Sequence, residues 1–200
     1  DNRGTHAGLF AVKRLLRRID TYGFHLVTLD VRQDALVHRQ VVGECLGTDD
    51  WEDWTAQARA ERITEAFVSK EGMPETLSPQ ARKTIAVFQA IAFCRRKYGK
   101  QSIGPFIISM TQGPDDVLSV LLLAEWAELH NRGGTIPLAI APLLETVDDL
   151  RAGPDIMDEL LSSLLYREHL PKRGDRQMVM IGYSDSNKDG GLASARWALQ

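Results

Sequence analysis

Four short apolar segments, separated by longer stretches with helical periodicity, dominate the sequence. They comprise residues 24–31, 106–110, 138–142 and 178–181. Each is followed by polar residues and then by apolar residues at the spacing of an amphipathic helix. Strands that alternate with helices predict parallel βα units, and right-handed crossovers favour a barrel or a doubly wound sheet. We therefore expect an α/β fold, and four such units would make half of a (β/α)₈ barrel.

The helical stretches set the rest of the expected organisation. We predict helices over residues 1–23, 35–45, 79–98, 114–130 and 147–169, with the last interrupted near Gly153 and Pro154. Residues 48–77 are polar with scattered apolar anchors, which predicts one or two short helices in an insertion. The chain begins at Asp1 without a methionine and stops within an apparent helix. We therefore expect residues 1–200 to be a fragment of one larger barrel domain.

The segment after the last apolar run, residues 182–191, carries more charge than an ordinary turn needs. It contains Asp185 and Lys188, and it ends in two glycines that would cost about 1 kcal/mol each in a first helical turn. Ser186 and Asp189 have the spacing of a capping box, which is the simpler interpretation of the segment. The extra charges and the room that glycines leave for a ligand or a neighbouring backbone favour a functional role.

Polar side chains follow all four predicted strands, namely Arg32, Gln112, Glu145 and Asp185. In a barrel the carboxyl ends of the strands meet on one face, so we expect these four to converge. Carboxylate oxygens suit Mg²⁺ or Mn²⁺, and a guanidinium group suits phosphate or carboxylate. The alternatives are a surface arginine paired with an acid, and two carboxylates that interact only with helix dipoles.

Composition excludes several classes of function. Hydrophobic residues make up 44% of the chain and the formal net charge is −3, so nothing points to nucleic acid as a partner. No apolar run approaches the roughly 20 residues of a membrane helix. Cys45 and Cys94 lie in apolar helical contexts without metal-ligand spacing. We expect them to be free thiols, as in a cytoplasmic protein.

Four motifs together resemble the phosphoenolpyruvate carboxylase family. They are Leu-Asp-Val-Arg-Gln (29–33, with His38 downstream), Phe-Ile-Ile-Ser-Met-Thr (106–111), Pro-Leu-Leu-Glu-Thr-Val-Asp-Asp-Leu (142–150) and Met-Ile-Gly-Tyr-Ser-Asp-Ser-Asn-Lys-Asp (180–189). The last is long and highly specific. The similarity extends from about residue 24 to the end of this chain, and the chain corresponds to a minor, central part of a family member.

The resemblance implies a partial phosphoenolpyruvate-binding barrel of the TIM type and a Mg²⁺- or Mn²⁺-dependent carboxy-lyase. Such an enzyme makes oxaloacetate and phosphate from phosphoenolpyruvate and bicarbonate. The resemblance places the metal on Glu145 and Asp185, the phosphate or carboxyphosphate on Arg32, and Lys188 near bicarbonate. Arg32 and Lys188 are then the expected catalytic residues, and Gln112 joins them in substrate binding. A cytoplasmic homotetramer is the implied full-length assembly.

Two family segments are absent from the chain: the one that carries a histidine in Thr-x-His-Pro-Thr-Glu, and the Gly-Arg-Gly-Gly loop. We therefore expect the chain by itself to be inactive. Two other hypotheses remain open. One is a different metal-dependent barrel enzyme that uses phosphoenolpyruvate or pyruvate, and the other is a non-catalytic structural fragment whose strand ends are only helix caps.

Overall fold

A computed structural model describes residues 7–199 and shows an α/β architecture built on one parallel sheet. Its four strands are β1 (Leu29–Asp34), β2 (Ile103–Ser109), β3 (Ile140–Leu144) and β4 (Met180–Ile181). Neighbours in space are also neighbours in sequence, in the order β1-β2-β3-β4, and each pair is parallel. The predicted α/β class and the parallel sheet are confirmed.

Helices precede β1, connect the strands and follow β4. They are α1 (Leu9–Tyr22), α2 (Ala35–Leu46), α3 (Ala56–Ser69), α4 (Pro79–Tyr98), α5 (Pro114–Trp126), α6 (Val147–Ser162), α7 (Leu164–His169) and α8 (Tyr183–Ala198). Short 3₁₀ turns lie at Trp51–Asp53 and Pro171–Arg173. Within residues 7–199, no helix has the length and apolar character needed to cross a membrane.

The two faces of the sheet differ in what covers them. Phe106 and Ile108 of β2 belong to the large core that the helices form, whereas Ile107 between them does not. Ile107 instead packs with Ala141 and Leu143 of β3, and Met180 of β4 packs against this group. Because side chains alternate along a strand, the helices lie on one face and a small cluster made of strand residues lies on the other.

Helix α5 occupies the centre of the helical layer. It contacts α2, α3, α4 and α6, and its residues from Pro114 to Ala124 are all buried. A helix that is apolar on all sides is stable only when neighbours surround it. Its first turn nevertheless contains Asp115 and Asp116, so two carboxylates are buried directly after the loop that ends β2.

The predicted boundaries of the first strand were wrong. Residues 24–28 form no strand, and Phe24, Leu26 and Val27 are exposed. The strand begins at Leu29 because β2, its neighbour in the sheet, begins at Ile103, which is the pairing partner of Leu29. Arg32 therefore lies within β1, opposite Ile107, rather than after its end.

The predicted break near Gly153 and Pro154 was also wrong, because α6 continues to Ser162 with Pro154 inside it. Gly153 allows α6 to pack closely against β3, since a Cβ at this position would lie 2.6 Å from Cδ1 of Leu144. The interruption falls instead at Ser163, between α6 and α7. The helix predicted to reach residue 130 ends earlier, at Trp126.

The last strand is shorter and more exposed than the apolar run predicted. Only Met180 and Ile181 pair with β3, and Met178, Val179 and Ile181 are exposed. The side-chain amide of Gln177 donates to the backbone carbonyl groups of Ile140 and Met178 at 3.1 and 2.7 Å. A side chain thus satisfies the carbonyl group of Ile140 where a longer strand would continue the ladder.

Candidate functional site

Glu145 is the centre of the candidate site. It follows β3 directly and is buried, with 6% of its side chain exposed. Its Oε1 accepts a hydrogen bond of 2.6 Å from Nη2 of Arg32, and its Oε2 accepts one of 3.0 Å from the backbone N–H of Met110. One carboxylate therefore joins the carboxyl ends of β1, β2 and β3.

Arg32 and Met110 approach Glu145 in different ways. Arg32 extends from the exposed edge strand and keeps 55% of its side chain in solvent. Met110 has a positive φ of 56°, which is uncommon for a residue with a side chain. Such backbone strain is often found at functional positions, and here it accompanies the N–H group that Glu145 binds.

Gln112 lies in the loop between β2 and α5, on the same edge of the sheet. Its side chain is exposed, and its backbone N–H donates to Oδ2 of Asp116 at 2.9 Å. The N–H of Gly113 donates to the same oxygen at 3.3 Å. Asp116 therefore fixes the loop that carries Gln112, a role that its sequence context did not predict.

A buried ionic cluster supports that loop. Arg59 Nε contacts Oδ2 of Asp115 at 2.6 Å, and Arg39 Nη2 contacts Oδ1 of Asp116 at 2.9 Å. Burial and the neighbouring Asp116 raise the pKa of Asp115, and the charge of Arg59 acts in the opposite direction. The positive charges of two arginines, one from α2 and one from α3, thus compensate the negative charges of two carboxylates at the start of α5.

The charged segment that follows β4 is helical rather than an extended turn. Helix α8 begins at Tyr183 and is broken at Gly191, whose φ of 74° and ψ of 163° only glycine adopts readily. The predicted capping box is wrong, because Ser186 lies inside the helix and its hydroxyl donates to the carbonyl of Gly182 at 2.7 Å. The helix resumes after the break and continues from Leu192 to Ala198.

Asp185 and Lys188 pair with each other across 3.1 Å, one turn apart on α8. Both are largely exposed, with 53% and 74% of their side chains in solvent. Within residues 7–199, no hydrogen bond or ion pair joins either of them to Glu145. The structure therefore brings Arg32 and Glu145 into direct contact and places Asp185 and Lys188 beyond the end of the adjacent strand.

Direct contacts dock the charged segment against the Glu145 turn. The N–H of Gly182 donates to the carbonyl of Leu144 at 2.8 Å, and a Cβ on Gly182 would lie 3.1 Å from Cα of Glu145. Asp189 Oδ2 accepts a hydrogen bond of 3.2 Å from the N–H of Val147, the first residue of α6. Asp189 therefore caps a different helix from the one expected, and it ties α8 to the turn that carries Glu145.

The same turn has its own capping box. The hydroxyl of Thr146 accepts from the N–H of Asp149 at 3.0 Å, and Oδ2 of Asp149 accepts from the N–H of Thr146 at 2.9 Å. Thr146 and Asp149 thus form a reciprocal capping box at the start of α6. It fixes the backbone immediately after Glu145 by local hydrogen bonds, so the direction of the Glu145 side chain is well defined.

The donor set of Glu145 and Asp185 fits a hard divalent cation. Mg²⁺ and Mn²⁺ prefer carboxylate oxygen, and Mg²⁺ commonly uses one or two carboxylates together with water and substrate oxygens. Residues 7–199 contain no group of three or more histidine, cysteine, aspartate or glutamate side chains arranged to hold a metal. Any cation held here would therefore depend on ligands besides these protein carboxylates.

Comparison with known proteins shows similarity to one family along almost the whole chain. A model of the phosphoenolpyruvate carboxylase family matches residues 2–200. The phosphoenolpyruvate carboxylase of Xanthomonas oryzae pv. oryzae is 47% identical over 199 residues, which cover 100% of this chain and 22% of the relative. Those of Rhodopseudomonas palustris and Corynebacterium diphtheriae are each 37% identical over 97% and 93% of the chain.

The chain thus spans 22% of the length of these relatives. The matched residues include Arg32 in β1, Glu145 after β3 and Asp185 after β4. From the family match and the identity over the full chain, it follows that this chain belongs to the phosphoenolpyruvate carboxylase family.

Proposed function

We propose that this chain supplies the metal-binding edge of an enzyme that carboxylates phosphoenolpyruvate with bicarbonate, giving oxaloacetate and phosphate. Family membership supports the reaction. The observation that carries the assignment to this edge is Glu145, a buried carboxylate that bonds Arg32 and the strained backbone of Met110. A purely structural turn needs neither a buried carboxylate nor an exposed arginine directed at it.

Each predicted site residue has a defined part in this proposal. Glu145 and Asp185 hold the divalent cation, which when bound supplies positive charge beside the enolate and phosphate oxygens. Arg32 binds the phosphoryl group that passes from phosphoenolpyruvate to bicarbonate, because its planar guanidinium can donate two parallel hydrogen bonds to such a group. Gln112 and Lys188 bind substrate from the two neighbouring loops, with Lys188 on the bicarbonate side.

The ion pair between Arg32 and Glu145 suggests how a bound cation would affect Arg32. In this structure Arg32 neutralises the buried carboxylate across 2.6 Å. A cation held by Glu145 would make that neutralisation unnecessary, and Arg32, which is 55% exposed, would be free to turn toward phosphate. Arg32 thus has two alternating anionic partners in the proposal, the carboxylate of the protein and the phosphate of the substrate.

The proposal includes the fold of the longer protein. Residues 1–200 would form part of a phosphoenolpyruvate-binding (β/α)₈ barrel, with residues 48–77 as a helical insertion that packs α3 onto α5. The full-length protein would be a homotetramer in the cytoplasm, with Cys45 and Cys94 as free thiols. Sedimentation of the full-length protein tests the assembly.

An exchange experiment tests the function. The 199 matched residues of the Xanthomonas oryzae relative are replaced by those of this chain, and oxaloacetate formation is measured with Mg²⁺, phosphoenolpyruvate and bicarbonate. The exchange protein should be active, and its activity should require bicarbonate. Glu145→Gln should lower kcat at least 100-fold, because it removes a charge from the cation site while keeping the shape of the side chain.

Glu168→Gln is the matched control, since Glu168 is an exposed residue of α7 outside the site. It should leave kcat unchanged. Turnover that does not depend on bicarbonate would favour a different phosphoenolpyruvate or pyruvate enzyme. Equal activity of Glu145→Gln and the unaltered exchange protein would refute the assignment of this edge. The 200-residue chain by itself should show no turnover, because it lacks the two family segments noted above.

A further inference from the structure

A second polar cavity lies at the opposite end of the sheet from Glu145. It has a volume of about 480 Å³ and is lined by the start of β2, the residue before β3 and the turn before β4. Because the strands are parallel, these positions are all at the amino-terminal edge. The carboxyl edge carries the site described above, so the two sites are separated by the length of the strands.

Four cationic side chains line this cavity, which we call the basic pocket: Arg95, Lys100, Lys172 and Arg173. Arg95 lies in the last turn of α4 and Lys100 follows that helix, whereas Lys172 and Arg173 belong to the 3₁₀ turn after α7. The lining contains no aspartate or glutamate. Among residues 7–199, none of the four forms an ion pair, and Arg95 instead donates to the backbone carbonyl of Ile103 at 3.2 Å.

The two arginines of the basic pocket are only partly exposed and lie close enough to repel each other. Burial and the charge of Arg173 lower the pKa of Arg95, and burial lowers the pKa of Arg173. Both remain charged at neutral pH, because a guanidinium group keeps its proton throughout this range. Half-buried positive charges without a counter-charge are unfavourable, and an anion bound between them would remove that cost.

The polar residues opposite the cations are compatible with such a ligand. Asn131, Thr135 and the backbone of Gly104 line the same cavity, and the loop from Asn131 to Thr135 is held by hydrogen bonds to Oδ1 of Asn131. This leaves the side-chain amide nitrogen of Asn131 as a further donor. The volume lies within the range of small-molecule sites.

We propose that the basic pocket binds a small phosphate-bearing anion. Guanidinium groups match the geometry of phosphate oxygens, and a phosphate carries more charge than a single carboxylate against four cations. The proposal is independent of the reaction at the other edge, because it concerns different residues and needs no turnover to be measured.

Titration calorimetry at low ionic strength tests it, with inorganic pyrophosphate as the probe and acetate as a singly charged comparison. The measurement is made on the 200-residue chain and on the exchange protein. Pyrophosphate should bind to both, and acetate should bind at least tenfold more weakly. Arg173→Gln should lower the affinity for pyrophosphate at least tenfold, and Lys100→Gln should lower it about threefold.

Arg96→Gln is the matched control, because it makes the same charge change at an exposed position next to Arg95 but outside the cavity. It should leave the affinity unchanged. Circular dichroism shows whether each variant is folded. If Arg173→Gln is not folded, the affinity of the double variant Lys100→Gln/Lys172→Gln, which changes two exposed residues, tests the proposal in its place. Equal losses in Arg96→Gln and Arg173→Gln would show diffuse attraction only. That result would overturn the proposal. The absence of pyrophosphate binding by the unaltered chain would also overturn it. So would loss of binding in the exchange protein because another segment covers the pocket.

Discussion

Replacing Arg59 by methionine should be among the most destabilising single changes in the helical layer. Arg59 Nε contacts Asp115 Oδ2 at 2.6 Å, and its Nη1 donates to the carbonyl of Trp54. Both charged groups are buried. Methionine has nearly the same helix propensity as arginine, so the change removes the charge and the hydrogen bonds without weakening α3 itself.

The expected magnitude follows from what remains around Asp115. Breaking a buried ion pair by removing one partner costs about 3–5 kcal/mol. Arg39 still lies 3.8 Å from Asp115 and compensates part of the charge, so we expect the lower end, about 3 kcal/mol. With a urea m-value of about 2 kcal/mol/M, the midpoint of unfolding should fall by about 1.5 M.

Urea denaturation followed by tryptophan fluorescence is a suitable assay, because Trp51 and Trp54 lie next to Arg59 in the fold. Arg62→Met is the control on the same helix. Arg62 binds both oxygens of Glu71 at 2.8 Å, but the side chains are 22% and 36% exposed, so its loss should cost about 1 kcal/mol or less.

Two further observations test the cause of the effect. Asp115→Asn in the Arg59→Met background should recover part of the lost stability, because it removes the uncompensated charge. The deficit of Arg59→Met should also be smaller at pH 5 than at pH 8, since burial already raises the pKa of Asp115 and loss of Arg59 raises it further. A deficit no larger than that of Arg62→Met would refute the reasoning.

Three other results are expected. Burial lowers the pKa values of His38 and His169 to about 4. The unfolded chain therefore binds protons more strongly, and stability should fall as pH decreases from 6.5 toward 4, by up to about 3 kcal/mol per histidine; His38→Leu should reduce this pH dependence in urea denaturation. Asp189→Ala should destabilise the chain by about 1 kcal/mol in the same assay, because the N–H of Val147 loses its cap. Gly182→Ala should raise the Mg²⁺ concentration for half-maximal activity of the exchange protein, since its Cβ would press on Glu145; an unchanged value would contradict the docking described above.

Local sequence signals predicted the helix boundaries well where specific end residues were present. Helix α4 begins at Pro79, as predicted, after the cap of Ser78, and α2 ends at Leu46 before Gly47, one residue beyond the predicted end. These ends depend on a side-chain cap and on a left-handed glycine, which act within a few residues. The start of β1 could not be predicted in this way, because it depends on the pairing of Leu29 with Ile103, distant in sequence.

The sequence predicted the residue types at the candidate site but not the contacts between them. Polar residues at strand ends identified Arg32 and Glu145, and parallel strands place both on one edge. The residues around Asp189 do not predict that it caps α6 rather than its own helix, because an aspartate followed by glycine could cap either helix. The supporting role of Asp116 was likewise missed, since two adjacent acids before an apolar helix normally indicate an exposed first turn.

The order of the strands supports the barrel that we propose over a doubly wound sheet. A doubly wound sheet reverses its strand order and is covered by helices on both faces, whereas β1 to β4 follow one another without reversal. The face opposite the helices is covered by a cluster of strand residues, Ile107, Ala141 and Leu143, as in the filled interior of a barrel. Both outer strands also expose apolar residues, Leu29 on β1 and Ile181 on β4. Such edges tend to pair with further strands, and closure of the sheet through the remaining length of a family member would cover both.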